Sequence, residues 1–259
     1  ASPNVPDNFF PDGQAGVFSR NLIRTLVNQT RPWALFVGLW KPHLPWAAPQ
    51  RFFSMQGGGF PGPHHSGVPS GLSGSDWQMI RGQGCREGSD YIGAPSNLAG
   101  WAVSGAVAQA AVQAYYATVS YSDAQIGLLL DAIDQSVDAN NTHVVLIGDH
   151  GFHLGDHGLY CKHTNMLGGT QTMLLVAPAM GEPYWARNVA SVAPVELLDV
   201  MPTLAGLFGF AFPDDANQYL PWEGMSLAPI LSRQKPCVKF GSMFQYFRGQ
   251  GKNQVWGYG

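Results

Sequence analysis

Charge is scarce in this sequence. Asp, Glu, Lys and Arg make up 12% of the residues, against ~25% in an average globular chain. The net charge is −3 and no basic run occurs, which argues against a grip on nucleic acid or on an anionic membrane surface. No apolar run reaches the ~18 residues a membrane span needs. Cysteine is scarce as well. Cys85, Cys161 and Cys237 stand apart, with no Cys-x-x-Cys pair to suggest zinc. Their odd number leaves at least one thiol free or paired outside the chain. The start, Ala1-Ser2-Pro3, has neither Met nor a signal-like apolar segment. The end, at residues 255–259, follows directly on strand-like sequence. Both ends are expected to be cuts, made by processing or by incomplete coverage.

What is abundant is glycine and proline, 32 and 19 residues. They predict long irregular connections, above all across residues 53–75. Helical spacing of Val17, Leu22, Ile23, Leu26 and Val27 predicts an amphipathic helix over residues 17–28. The longest helical pattern runs over 107–136, with Tyr115, Tyr116, Val119, Ile126, Leu130 and Ile133 on its expected inner face. Continuous apolar runs at 33–40, 143–147 and 172–177 predict strands buried on both faces. Residues 195–208 read as helical, and Pro202 should either kink that helix or mark a start near Asp199. Residues 240–246 read as a last strand. The alternation predicts an α/β fold with a mainly parallel sheet and helices on both faces. Residues 1–259 are expected to belong to a single domain, with about 235–259 opening a small C-terminal subdomain.

Chemistry concentrates in GDHGFHLGDHGLYCKH, residues 148–163, where four histidines, two aspartates and a lysine fall within sixteen residues. The tetrapeptide GDHG occurs twice. In open α/β sheets ligands gather beyond the carboxyl ends of strands, so Asp149 and His150, directly after the 143–147 run, are the better-placed metal ligands. Asp156 and His157 fall in a glycine-punctuated loop with nothing to tie them to the sheet. A structural hydrogen-bonding pair is the bland reading of Asp149-His150. A carboxylate and an imidazole suit Ca²⁺, Mg²⁺, Mn²⁺ or Zn²⁺, and two ligands are too few for any of them. Lys41 and His43, in KPH after the 33–40 run, are candidates for binding an anion in the same crevice. Lys162, after the glycine loop, is the third element. Cations around the oxygens of a tetrahedral dianion are what such a displacement needs; a solvated loop lysine is the alternative. The sequons at Asn28 and Asn140 point to a secretory route, toward a secreted, extracellular or lysosomal-type compartment.

Together these residues resemble a sulfatase of the alkaline phosphatase superfamily, most of all the iduronate-2-sulfatase-like branch. Four segments carry the resemblance in the family's order: WALFVGLWKPHLPW at 33–46, YYATVSYSDAQIG at 115–127, GDHGFHLGDHGLYCKHTN at 148–165 and VELLDVMPTLAG at 195–206. It extends over roughly residues 5 to 259 and is loosest at 56–75 and 181–192. The resemblance implies that Asp149 and His150 are two ligands of a catalytic Ca²⁺. It implies that Lys162 contacts the sulfate ester, and that His43, with Lys41 beside it, binds the sulfate or acts as the acid near the leaving group. Asp156-His157-Gly158 matches a loop leading to that lysine and is not a ligand position in the family.

The departures are large. The family's Cys-x-Pro-Ser-Arg motif, whose Cys becomes the formylglycine nucleophile, is absent, and so are an Asp pair of metal ligands and a lysine-histidine pair. Cys85, Cys161 and Cys237 are followed by Arg-Glu-Gly, Lys-His-Thr and Val-Lys-Phe. The segment before the next strand, at 168–172, also differs. The chain is therefore expected to be the C-terminal portion of a sulfatase, inactive alone and completed by the rest of the same fold or by a partner chain. Its expected substrate is a sulfate ester, in one reading on a glycan. The rivals are an inactive sulfatase-like binding protein and a phosphoester hydrolase of the same superfamily.

Overall fold

The computed structural model describes residues 3–60, 62–63, 65, 67–73, 105–210, 223–248 and 255–258. Helix α1, Pro11–Leu26, opens on a proline whose missing N–H is no loss in a first turn. It begins earlier than the apolar spacing predicts, and its inner face also differs. The buried positions are Asp12, Gly13, Gly16, Ser19 and Ile23, so of the expected apolar face only Ile23 is buried. This stripe of small residues lets α1 press against the long helix α3, Gly105–Asp134. A Cβ on Gly13 would lie 2.6 Å from the Tyr121 hydroxyl, and one on Gly16 would lie 2.7 Å from Gln125 Oε1.

Helix α3 matches the predicted span to within two residues at each end, but it too is rotated from expectation. Ala111, Thr118, Gln125 and Ala132, seven residues apart, are buried along with Tyr121 and Ser122. Tyr116, Val119 and Leu130 are 41%, 42% and 38% exposed. Small and polar side chains face α1 because only they allow two backbones to come that close. Between these helices in the chain lies the short α2, Gln50–Met55. It adds Phe52 to a core of Ala48, Ala117 and Tyr121, with Phe10, Phe53 and Ala124 around it.

Strand β1, Val144–Ile147, and strand β2, Leu174–Ala177, occupy the predicted runs. They pair antiparallel, Val144 opposite Ala177 and Ile147 opposite Leu174. Strands β3, Gln245–Arg248, and β4, Val255–Tyr258, form a second antiparallel pair. Both described ladders are antiparallel, and no parallel pair occurs among the described residues. An apolar run reports burial, not the direction of its neighbour. The run at 33–40 forms no ladder here, and Phe36 and Trp40 are 84% and 65% exposed.

Helix α4, Leu167–Thr170, is a single turn ahead of β2. Helix α5, Val200–Phe208, follows the 3-10 turn Leu197–Asp199, with a capping box between Glu196 and Asp199 at the expected start. The last short helix, α6, is Ala228–Leu231. Among the described residues no helix is long and apolar enough to cross a membrane.

Candidate metal and anion site

Asp149 and His150 sit just beyond the end of β1. Backbone bonds fix this turn: Gly148 N–H donates to Met173 O and Gly151 N–H to Gly169 O, both at 3.0 Å. A Cβ on Gly151 would overlap the carbonyl oxygens of Gln171 and Gly168, so glycine is required by close approach. His150 Nδ1 lies 2.8 Å from Gly151 O. A carbonyl only accepts, so Nδ1 carries a proton. The other ring nitrogen, Nε2, is 3.3 Å from Asp149 Oδ2. The two atoms converge on one point, an arrangement that suits a shared cation. An imidazole that gives its other N–H to a backbone carbonyl is the usual arrangement of a metal-binding histidine. The Asp149 side chain is 86% exposed, and its Oδ1 also accepts the His150 N–H at 3.0 Å. No group of three or more such donors occurs among the described residues. The pair thus fits a divalent cation as part of a shell.

The Lys41-His43 turn is built from buried polar groups that its own sequence does not advertise. Asp12, 4% exposed, accepts the N–H of Trp40 at 2.9 Å and of Lys41 at 2.7 Å. Ser122 on α3 donates to Lys41 O at 3.0 Å. The Lys41 ammonium donates to His43 O at 3.0 Å and to Pro45 O at 2.8 Å. Burial lowers its pKa, against the pull of Asp12. Lys41 is therefore chiefly a staple of the turn, with one of its three protons outside these two bonds. His43 Nδ1 is 2.6 Å from Leu44 O, which again assigns the proton to Nδ1. Trp40 stands edge-on to the His43 ring at 5.4 Å.

An aromatic triangle joins the two loops. Trp46 contacts Tyr115 at 5.9 Å and Phe152 at 5.6 Å, and Tyr115 stacks on Phe152 at 5.9 Å. Burial, with the Asp149 carboxylate adding to it, pushes the Tyr115 phenol above its ordinary pKa. The turn bearing Lys41 and His43 and the turn bearing Asp149 and His150 thus lie on one side of α3.

Residues 153–161 fold back on themselves. His153 N–H donates to Cys161 O at 2.7 Å and Gly155 N–H to Leu159 O at 2.8 Å. The second GDHG copy is the tip, a 3-10 turn Asp156–Gly158 entered through Gly155 at φ +112°. It holds the glycine-proline loop: Asp156 Oδ1 accepts His65 N–H at 3.3 Å, His157 Nδ1 is 2.7 Å from Gly67 O, and the two imidazoles stack at 5.5 Å. The return strand delivers Lys162 between anchored neighbours. Cys161 is fully buried and disulfide-bonded, while Cys237 is a free thiol. Thr164 is buried, and its N–H donates to Lys162 O at 2.7 Å. His153 Nε2 is 2.7 Å from Thr164 Oγ1, and burial pushes the His153 pKa down to about 4. Asp12, His153 and Thr164 went unassigned at the level of sequence. The HxxxxxxxxxxT spacing of the last two carries no signal until the loop closes. Asn28 and Asn140 are both exposed.

The Sulfatase family model matches residues 8–210, and the chain belongs to this family. It is 32% identical over 252 residues to a sulfatase of Formosa agariphila, covering 97% of this chain and 46% of that one. It is 29% identical to the iduronate 2-sulfatase of Mus musculus, covering 81% of this chain and 42% of that one. The chain thus spans about half the length of the curated relatives it matches. Among solved structures it is similar to a protein held with its substrate D-glucosamine-2-N,6-O-disulfate, with a TM-score of 0.71, 19% identity and coverage of 94% and 58%. It is also similar to the phosphonate monoester hydrolase of Agrobacterium radiobacter, with a TM-score of 0.73, 20% identity and coverage of 98% and 48%. The fold is therefore the α/β fold of the alkaline phosphatase superfamily, although the described ladders are antiparallel.

Proposed function

We propose that the complete protein hydrolyses sulfate esters, and that this chain supplies two ligands of its Ca²⁺ site and its anion-binding lysine. What supports the reading is the convergence of His150 Nε2 and Asp149 Oδ2 in a chain of the Sulfatase family. Asp149 and His150 hold the metal, with the remaining ligands and a formylglycine nucleophile supplied by sequence outside this chain. When bound, Ca²⁺ supplies positive charge to the sulfate oxygens as negative charge develops on them. Lys162 donates to the sulfate ester and steadies the leaving oxygen. His43 binds the sulfate, and because Leu44 O holds its Nδ1 proton, Nε2 is the ring atom that exchanges a proton with the leaving group. Lys41 keeps that imidazole in place and lends it charge. The substrate is a sulfate ester on a glycan, in keeping with the disulfated glucosamine of the similar structure. A secreted or lysosomal-type location agrees with the exposure of both sequon asparagines.

The test uses the complete protein. Asp149→Ala should weaken Ca²⁺ binding, measured by calorimetry, by at least the ~10–100-fold that loss of an outer-shell partner costs. Lys162→Ala should lower turnover of an aryl sulfate about 100-fold or more. Unchanged Ca²⁺ affinity in the first variant removes the ligand assignment; full turnover in the second removes the role of Lys162. A phosphonate monoester hydrolase shares the fold. A matched aryl phosphate therefore serves as the rival substrate, and preference for it would replace the sulfatase reading. Turnover of neither ester would favour a binding protein.

A further inference from the structure

We propose that Tyr246 is a positioning residue for Lys162, and that the strand carrying it is held in place by a Lys239 latch on the buried Asp199. The inference rests on the role given to Lys162 above. Lys162 has a buried, disulfide-bonded residue before it, and its carbonyl is tied to buried Thr164 after it. Those contacts hold the backbone on the side of the 153–161 loop. The intervening residue, His163, is fixed from the opposite direction. Its imidazole stacks on the Tyr246 ring, with centroids 5.3 Å apart and planes within 13° of parallel. For the 162–164 turn to rotate, that stack must break.

Tyr246 can serve as an anchor because β3 is itself held. Upstream of it, the Lys239 ammonium donates to Glu196 Oε2 at 2.6 Å and to Asp199 Oδ1 at 2.7 Å. The lysine side chain is 12% exposed and Asp199 is fully buried. Asp199 also accepts the N–H of Glu196 and of Met225, each at 2.8 Å. Glu196 Oε1 accepts the N–H of Met243 at 2.9 Å, three residues before Tyr246. Burial works against the Lys239 charge, but its hydrogen bonds to Asp199 and Glu196 outweigh that and keep its pKa above the ordinary value. A charge pair this enclosed allows few alternative geometries. The chain of constraint therefore runs from the capping box ahead of α5, through Lys239 and Met243, to Tyr246, His163 and Lys162.

The test reads Lys162 directly in the complete protein. The protein is produced with lysine carrying ¹³C at Cε, and the Lys162 signal is identified by its loss in Lys162→Arg. Tyr246→Phe keeps the ring face and should leave that signal in place, with kcat within about twofold of the parent. Tyr246→Ala should shift and narrow the signal. It should also lower kcat about tenfold with little change in KM, the size expected of losing one aromatic pair at a site sensitive to placement. Lys239→Met should move the signal in the same direction. A Lys162 signal unchanged by Tyr246→Ala overturns the proposal, and so does a Tyr246→Phe variant as impaired as the alanine. Lys162→Ala is measured beside them. Full turnover there would overturn the catalytic reading of Lys162, while the spectrum still decides whether Tyr246 positions it.

Discussion

His150 and His153 are three residues apart in one glycine-rich loop, yet their surroundings assign them opposite tasks. His150 gives its Nδ1 proton to Gly151 O and turns Nε2 toward a carboxylate. His153 is 3% exposed, its Nε2 is paired with Thr164, and its Nδ1 is buried without a hydrogen-bond partner. Its folded pKa, about 4, lies below the ~6.5 of an unfolded histidine. Between those values the unfolded chain binds the extra proton, so stability falls as the pH drops through 6.5 and levels off near 4. The loss should approach about 3 kcal/mol, seen as a falling denaturant midpoint between pH 7 and pH 4.5 that His153→Gln abolishes. The aspartates divide in the same way. Asp156 accepts a backbone N–H of the glycine-proline loop. Asp156→Ala should therefore leave Ca²⁺ affinity of the complete protein unchanged while Asp149→Ala lowers it.

At the scale of elements, α1 and α3 meet through their smallest residues. Gly13→Ala would add helix propensity worth up to ~1 kcal/mol. However, its Cβ would press on the Asp7 carbonyl and the Tyr121 hydroxyl, the latter at 2.6 Å. Overpacking costs ~1–3 kcal/mol, so a net loss is expected. Gly127→Ala, on α3 with open space where its Cβ would stand, should instead gain ~0.5–1 kcal/mol. Chemical denaturation of the two variants measures both signs. The extents of α3, β1, β2 and α5 were legible because apolar periodicity, an Asn-rich break and Pro202 are local signals. The inner faces of α1 and α3 were not legible. Apolar spacing points to where burial is most favourable, whereas here the tightest contact needs the absence of side chain. Residues 33–40 show the converse: their apolar content reads as a buried strand, but no partner pairs with them among the described residues.

Across the whole molecule, a few buried charges tie distant parts of the chain together. Asp12 reaches residues 40 and 41, and Asp199 reaches residues 225 and 239. Removing Lys239 as Met leaves the Asp199 carboxylate buried without its counter-charge, which should cost about 3–5 kcal/mol. The double variant Asp199→Asn, Lys239→Met should recover part of that loss in the same unfolding measurement. Apolar side chains of residues 33–40 and of β1 and β2 are exposed, Phe36 and Trp40 at 84% and 65%, Ile147 and Leu175 at 47% and 46%. The chain also spans less than half of the sulfatase it matches at 32% identity. By itself the sequence determined the α/β class, the family and the different places of the two GDHG copies, one directly after an apolar run and one in a glycine-punctuated loop. Those follow from short-range pattern: a glycine-flanked Asp-His directly after an apolar run can only emerge at the end of that run. Only the tertiary structure decided the histidine tautomers, the pairing of Asp12 with the Lys41 turn and the stacking of Tyr246 on His163. Each depends on a partner tens of residues away, and a hydrogen bond or a ring contact has no energy until the fold brings both halves within a few ångströms.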